Sequence, residues 1–253
     1  MSWSGRRRAL YFFGFFAVVA GVVALIGYTV FYEAPTCADG KQNGAEEGVD
    51  CGGDCPVVCS FSAAEPIALW SRLFPVIPGA YTMLALVENP NGGVAAYDLP
   101  YTFKLRDAEN VLVAEEKGTM YLPAKAVVPV FVTGVRTGSR VPTKSEFSLG
   151  EPTWVTEAPN TFDLSIDNTS LEREEASPRL TARLTNHSLD AIPTLPLVAV
   201  LYGTDENAVH SSRMILKNVP GEGIADLVFT WPQPFTEGVA TISIIPVPQP
   251  RSR

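Results

Sequence analysis

The chain has 253 residues, of which 46% are hydrophobic, with a formal net charge of −8, 21 prolines and 20 glycines. This acidic balance, without any basic stripe, disfavours a nucleic-acid partner. Frequent turn residues between short apolar runs are typical of β-rich proteins. We therefore expect a mainly β protein.

Residues 9–32 form an apolar run without a charged side chain. A helix of this length extends roughly 36 Å, enough to cross a hydrocarbon core of about 30 Å. The preceding segment, residues 1–8, contains Arg6, Arg7 and Arg8. Short basic flanks favour the cytoplasmic side of a membrane. The run predicts a single-pass transmembrane anchor at the plasma membrane, with the bulk of the chain outside the cytoplasm.

A cleaved signal peptide is the alternative for this run. Such peptides have an apolar region of about 7–15 residues followed by small residues. Here the run is longer and ends in Tyr28, Phe31 and Tyr32, aromatic residues suited to a membrane interface. With the three arginines inside, the external part of the chain carries a formal charge of −11, which disfavours anionic lipid or nucleic acid as its partner.

All four cysteines lie in the next segment, residues 33–60, at Cys37, Cys51, Cys55 and Cys59. An even, local set outside the cytoplasm predicts two disulfides, which have three connectivities. A zinc site is the alternative, but it needs reduced thiolates and usually shows C-x2-C pairs, which this segment lacks. Gly52-Gly53 permits a sharp bend, which favours the interleaved pairs Cys37–Cys55 and Cys51–Cys59 over adjacent pairing.

The segment from Cys37 to Cys59 resembles a cysteine-rich motif of secreted and surface proteins, C-x-D-G-x-x-N-G-x-E-x-G-V-D-C-G-G-x-C followed by a last Cys. The matching positions between the outer cysteines are Asp39, Gly40, Asn43, Gly44, Glu46, Gly48, Val49, Asp50, Cys51, Gly52, Gly53 and Cys55. The last spacing differs, since three residues separate Cys55 and Cys59 where two are more usual. The resemblance implies a location at the cell surface rather than an activity.

Four oxygen-bearing side chains in this segment suggest a calcium site: Asp39, Asn43, Glu46 and Asp50. Calcium takes oxygen ligands of this kind, although the EF-hand pattern is not met. The alternative, which the residue types favour, is that Asp and Asn stabilise turns by binding their own backbone. No other cofactor is predicted.

Residues 61–156 show the pattern of a first antiparallel β-domain. Turn residues recur about every 8–12 positions, as in a sandwich of short strands. The first element, Ile67–Phe74, is a strand or one loose helical turn, because prolines flank it. Further strands are predicted at Tyr81–Glu88, Tyr101–Arg106, Val111–Glu115, Thr119–Leu122, Val127–Val132 and Phe147–Leu149.

Residues 157–248 repeat this pattern. The turn at Asn186 follows the turn at Asn89 by 97 residues, and Asp205 follows Asp107 by 98. An offset near 100 matches one immunoglobulin-like sandwich. The layout is similar to small β-sandwich families on bacterial envelope proteins, which implies two tandem immunoglobulin-like domains. We expect the join near residues 157–160 and a disordered tail at residues 249–253.

The sequence lacks the common catalytic motifs, including H-E-x-x-H, G-x-S-x-G and the P-loop. We therefore expect a non-catalytic structural or protein-interaction module, anchored in the membrane, with a protein partner in the cell envelope. The alternative is an envelope enzyme with an acid-based site on the sandwich loops. Its candidate residues are Asp98, Asp107, Glu115 and Glu116.

Overall fold

A computed structural model describes residues 3–158 and 162–250. The expected join at residues 157–160 and the expected tail at residues 249–253 therefore lie partly outside the described residues. Within them the protein is mainly β, as predicted, with an apolar helix at its N-terminus.

The N-terminal helix α1 (Trp3–Phe31) begins ahead of the arginines, earlier than the predicted start at residue 9. Its stretch Leu10–Phe31 has a mean hydropathy of 2.4, and none of it is buried inside the described structure. Phe13 is 80% exposed and Phe31 is 84% exposed. A helix that is apolar on all sides needs lipid or a protein partner around it. By length and composition this helix can span a membrane, and a signal sequence meets the same criteria.

Fourteen strands follow in the described residues. They are β1 (Val57–Val58), β2 (Ile67–Ile77), β3 (Ala80–Glu88), β4 (Val94–Arg106), β5 (Leu112–Leu122), β6 (Val127–Arg136), β7 (Lys144–Leu149), β8 (Trp154–Thr156), β9 (Leu164–Glu172), β10 (Arg179–Asn186), β11 (Ile192–Tyr202), β12 (Ala208–Val219), β13 (Ile224–Thr230) and β14 (Thr241–Pro246). A short 3₁₀ helix, Ser60–Ser62, follows β1.

The strands form four antiparallel sheets, in which one connectivity occurs twice. In the first half, β2-β3-β6 is one sheet, and β4 pairs with both β5 and β7 in another. In the second half, β9-β10-β13 and β12-β11-β14 follow the same order of connections. The strands β1 and β8 extend the β4 sheet of the first half only.

A buried asparagine marks the same turn in each half. Asn89 and Asn186 are 1% and 0% exposed. Each side-chain amide donates to two carbonyls at 2.8–3.0 Å, those of Val94 and Pro123 for Asn89 and those of Asp190 and Pro220 for Asn186. In both halves this amide ties the turn after the second strand to the turn before the fifth.

The hairpin turns that contain Asp107 and Asp205 also correspond. However, the residue equivalent to Asp107 lies two positions before Asp205. The backbone N–H of Asp107 donates to the carbonyl of Val111, and that of Gly203 donates to the carbonyl of Asn207. Asp107 therefore matches Gly203, 96 residues later, rather than Asp205.

The four sheets stack through three apolar clusters. The first cluster lies between the two sheets of the first half and contains Phe103 and Trp154. The second lies between the two sheets of the second half and contains Phe229. The third joins the halves, with Phe74 and Leu84 on one side and Val198, Val200 and Ala208 on the other. Strands β3 and β11 are thus buried on both faces, which is why they read as apolar runs rather than as alternating patterns.

Several strand boundaries differ from the sequence prediction. Strand β2 continues through Pro75 to Ile77, because an edge strand tolerates a missing N–H. The predicted segments Val111–Glu115 and Thr119–Leu122 belong to one strand, β5. Strands β1, β8, β9 and β14 were not predicted. Strand β9 is rich in Ser, Asp, Asn and Thr, residues that read as a loop but occur on exposed edges.

Candidate functional site

The four cysteines form two interleaved disulfides. Cys37 pairs with Cys55 at a Cα–Cα distance of 5.7 Å, and Cys51 pairs with Cys59 at 5.0 Å. The disulfide bonds are confirmed, and the pairing is the one favoured by the sequence. Gly53 has a φ of +59°, and a Cβ there would lie 1.8 Å from the carbonyl oxygen of Ala45. Only glycine fits this bend.

The cysteine segment is joined to the first half of the β body. Strand β1 pairs with β8, placing Val58 opposite Trp154. Past the last cysteine, Ala64 and the side chain of Asn91 exchange two hydrogen bonds of 2.8 Å. Val58 also packs against the first apolar cluster. The disulfide segment therefore forms part of the folded body.

The four proposed calcium ligands lie close together, and all three of their carboxylates accept hydrogen bonds from N–H groups of the same segment. Asp50 accepts from the backbone of Asp39 at 2.9 Å and of Gly40 at 3.0 Å. Asp39 accepts from the side chain of Asn43 at 2.9 Å, the largest of the contacts that hold its pKa below the ordinary value. Glu46 accepts from the backbone of Asn43 at 3.1 Å. The contacts of Asp39 and Glu46 are local, as the turn interpretation expects, whereas Asp50 bonds the backbone of residues ten and eleven positions away.

A sulfur–carboxylate group also lies in this segment. One ligand atom from each of Cys37, Glu46 and Cys55 falls within 4.8 Å of the others. The two sulfurs are bonded to each other, so neither is a thiolate, the form that binds metals. This group therefore offers a metal ion one carboxylate and no thiolate.

The acids of the alternative enzyme site are dispersed. Glu115 and Glu116 are consecutive on β5, so they point to opposite faces of the sheet. Lys117 pairs with Glu115 at 2.8 Å, and this contact lowers the pKa of Glu115. Asp98 lies on the exposed side of β4, at a register shift, with a φ of +50°.

Asp107, the remaining acid of that group, is 4% exposed at the turn between β4 and β5. Its carboxylate accepts from the backbone N–H of Val111 at 2.8 Å and from the guanidinium of Arg140. Burial raises the pKa of Asp107, but these two contacts outweigh burial and hold it below its ordinary value. Asp107 therefore acts as an ionised turn residue.

A cleft of 520 Å³ lies where the two halves meet, and we take it as the candidate functional site. Its walls come from the hairpin between β2 and β3, from the start of β12, and from the loop after β13. Clefts of about 300–1,000 Å³ between domains, lined by apolar and aromatic side chains, are the usual ligand sites of proteins. The ring-bearing residues of the lining are Phe74, Pro75, Pro78, Tyr81, Phe131, His210, Trp231, Pro232, Pro234 and Phe235.

Three of these rings form one aromatic cluster. His210 lies parallel to Phe235, with ring centroids 3.7 Å apart, and Trp231 meets Phe235 edge-on at 5.2 Å. The indole N–H of Trp231 donates to the carbonyl of Ser211 at 3.0 Å, which fixes the loop against β12. The loop wall of the cleft is thus an ordered aromatic surface.

The cleft contains one histidine with a lowered pKa and few charged side chains. Desolvation lowers the pKa of His210, against the opposing effects of Glu237 and Glu174. Among the described lining residues only Arg213 and Glu237 carry a full charge. The guanidinium of Arg213 lies 5.5 Å from the ring centroid of Phe131. This is a cation–π contact between the two halves.

Two polar atoms near the cleft, His210 Nε2 and Ser211 Oγ, have no hydrogen-bond partner among the described residues. Sequence reasoning missed the cleft as a whole. The one local signal is the run Trp231-Pro232-Gln233-Pro234-Phe235, whose aromatic and proline content is unusual for a loop. No sequence feature says that this loop lies opposite the β2–β3 hairpin.

Comparison with known proteins leaves the family open. The chain matches no protein-family model and no curated protein. Among solved structures it is similar to a transglutaminase of red sea bream, with a TM-score of 0.23 and 8% sequence identity. The match covers 72% of this chain and 31% of that chain. A TM-score this low carries no argument about fold or function.

Proposed function

We propose that the protein is a membrane-anchored, non-catalytic interaction module of the cell envelope. Helix α1 would cross the plasma membrane once, with Arg6 and Arg8 in the cytoplasm, and the β body would lie outside. Supporting this placement, α1 is exposed along its apolar length, while the disulfides close a segment only a few residues beyond it. Disulfides persist outside the reducing cytoplasm.

Each half of the β body is inferred to be an immunoglobulin-like domain. The two halves share a set of six strands in two facing sheets, in which the third strand pairs with both the fourth and the sixth. This connectivity, at about 100 residues per unit, fits such a sandwich. The two domains form one body because the third apolar cluster joins them.

The observation that carries the interaction role is the cleft between the domains. Its lining is mostly rings and apolar side chains, a composition that suits binding better than chemistry. A catalytic site needs a nucleophile or acid within reach of a base. In the described chain the four candidate acids do not converge, and the imidazole of His210 is stacked on Phe235. An envelope protein is the partner class that fits the apolar lining, whereas the acidic charge of the chain disfavours nucleic acid.

Protease treatment of spheroplasts tests the topology. Added protease should digest the β body while a fragment containing α1 stays in the membrane. Protection of fragments that contain Trp154 and Trp231 would contradict it.

Crosslinking in the native membrane tests the interaction role. A photoreactive residue at Gln233, on the exposed loop beside the cleft, should yield an adduct with an envelope protein. The matched control is the same group at Glu109, which is exposed in the turn between β4 and β5 and absent from the cleft lining. Equal adducts at both positions, or none at Gln233, would contradict a specific interaction site.

A further inference from the structure

The cleft offers rings on opposite walls. Phe74 and Phe131 come from the first domain, and Trp231 and Phe235 come from the second. Aromatic-lined grooves of this kind hold segments in the polyproline II conformation, because prolines pack against flat rings and lose little entropy on binding. A proline-containing extended segment is therefore the ligand geometry that the lining favours.

Two acidic side chains lie beside the wall of the cleft that is formed by the loop after β13. Glu237 lines the cleft, and Glu174 is close enough to act on His210. The backbone carbonyl of Glu174 accepts the N–H of Phe235 at 2.8 Å. Arg213 is the one cation of the described lining, and it is held over Phe131. The chain beyond residue 32 carries a formal charge of −11. A ligand with a basic residue beside its prolines complements the loop end of the cleft.

The chain itself carries a proline-rich segment at the same interface. Residues 246–250 read PVPQP, with three prolines. Val247 packs against both the first and the third apolar clusters, and its N–H donates to the carbonyl of Pro196 at 2.8 Å. Pro248 and Pro250 lie in a second hollow that shares Phe131 and Arg213 with the cleft. A proline-rich stretch thus already packs on one side of this interface.

We propose that the cleft binds a proline-rich, basic segment of a partner protein in an extended conformation. The prolines pack between the rings of the two domains, and the basic residue lies beside Glu237 and Glu174. This proposal rests on the proposed function and names the chemistry of the partner.

The test uses the full chain in detergent micelles and the fluorescein-labelled peptide RPLPPLP, measured by fluorescence anisotropy. The wild-type chain should bind this peptide saturably, and it should not bind RALAALA. Removing a central aromatic contact typically weakens binding about thirtyfold, so Phe235→Ala should do so here. Glu237→Lys should also weaken binding, and the loss should shrink at high salt because exposed charges are screened.

A substitution outside the cleft serves as the control for the two cleft variants. Ile224→Ala changes a residue that is 61% exposed and absent from the cleft lining, so it should bind as the wild type does. If Phe235→Ala fails to fold, Glu237→Lys tests the same site, since Glu237 is exposed.

Three outcomes overturn the proposal: no binding of RPLPPLP to the wild-type chain, equal binding of RALAALA, or binding that neither cleft variant weakens. Binding of a chitin oligosaccharide in place of the peptide would also overturn it, because the ligand class would then be a glycan. An adduct at Gln233 in the native membrane without peptide binding would leave the interaction role standing and refute this ligand alone.

Discussion

The buried asparagines make the turn that recurs in the two halves testable at single side chains. The amide of Asn186 donates to the carbonyls of Asp190 and Pro220, each at 3.0 Å, and its oxygen accepts from Ser188. Replacing Asn186 with Ala removes both donors, which leaves the carbonyl of Pro220 without its partner and that of Asp190 with the Ser188 hydroxyl alone, at 3.1 Å. A buried carbonyl left unsatisfied costs about 1–3 kcal/mol and each further lost hydrogen bond about 1 kcal/mol, so Asn186→Ala should lower the free energy of unfolding by roughly 3 kcal/mol.

The chemistry of the replacement separates this mechanism from simple loss of packing. Asn186→Asp keeps the shape but turns the donor into a second acceptor facing two carbonyls, so at pH 7 it should destabilise at least as much as Asn186→Ala. Ser188→Ala removes a hydroxyl that donates to Asn186 at 2.7 Å, while the backbone N–H of Ser188 still donates. A single hydrogen bond contributes about 1 kcal/mol, which sets the expected loss for Ser188→Ala.

Urea denaturation of the purified chain, followed by tryptophan fluorescence, measures all three variants. Asn89→Ala should behave as Asn186→Ala does, because its amide makes the matching pair of contacts in the first domain. A loss below about 1 kcal/mol for Asn186→Ala would refute the reasoning, since a single exposed hydrogen bond accounts for that much. Tolerance of Asn186→Asp would refute it as well.

Three further predictions concern other parts of the molecule. Because burial holds the folded pKa of His210 below 6.5, the unfolded chain binds the proton first as the pH falls. Stability should therefore decline on acidification through the region below pH 6.5, and His210→Gln should flatten this slope; an unchanged slope would assign it to other groups. Melting curves in millimolar calcium and in chelator should coincide, since the carboxylates of Asp39 and Asp50 already accept hydrogen bonds, and a higher melting temperature with calcium would support the calcium hypothesis instead. Leu84 is 0% exposed between the domains and Leu189 is 83% exposed. In urea, Leu84→Ala should therefore cost about 3 kcal/mol, whereas the control Leu189→Ala should change stability by less than about 0.5 kcal/mol.

Local patterns in the sequence predicted local structure well. The alternation in Tyr101–Arg106 indicated a half-buried strand, and that stretch lies in β4. The cysteine spacing and Gly52-Gly53 favoured the disulfide pairs that the structure contains. These features depend on residues close in sequence, where turn chemistry and strand period act directly.

What the sequence could not predict depends on distant partners. Asn89 and Asn186 were recognised as turn residues, a role usually associated with exposure, yet both amides are buried. Their burial arises because the turn before the fifth strand of each domain supplies the second carbonyl, 34 residues away. The apolar runs of β3 and β11 likewise indicate burial on two faces, but a run does not say which sheet covers the second face.

The position of the cleft follows from that stacking. The two halves touch where Leu84 packs with Val198 and Val200, while the β2–β3 hairpin and the loop after β13 form the walls of the cleft beside this contact. A ligand held between these walls contacts both domains and binds only when they are docked. Such a ligand stabilises the docked pair by RT ln(1 + [L]/Kd), about 1.4 kcal/mol at ten times the Kd. Under the proposed function, partner binding and the docking of the two halves are therefore linked. A variant that weakens the contact at Leu84 should also weaken the peptide's apparent affinity, although Leu84 is not among the residues that line the cleft.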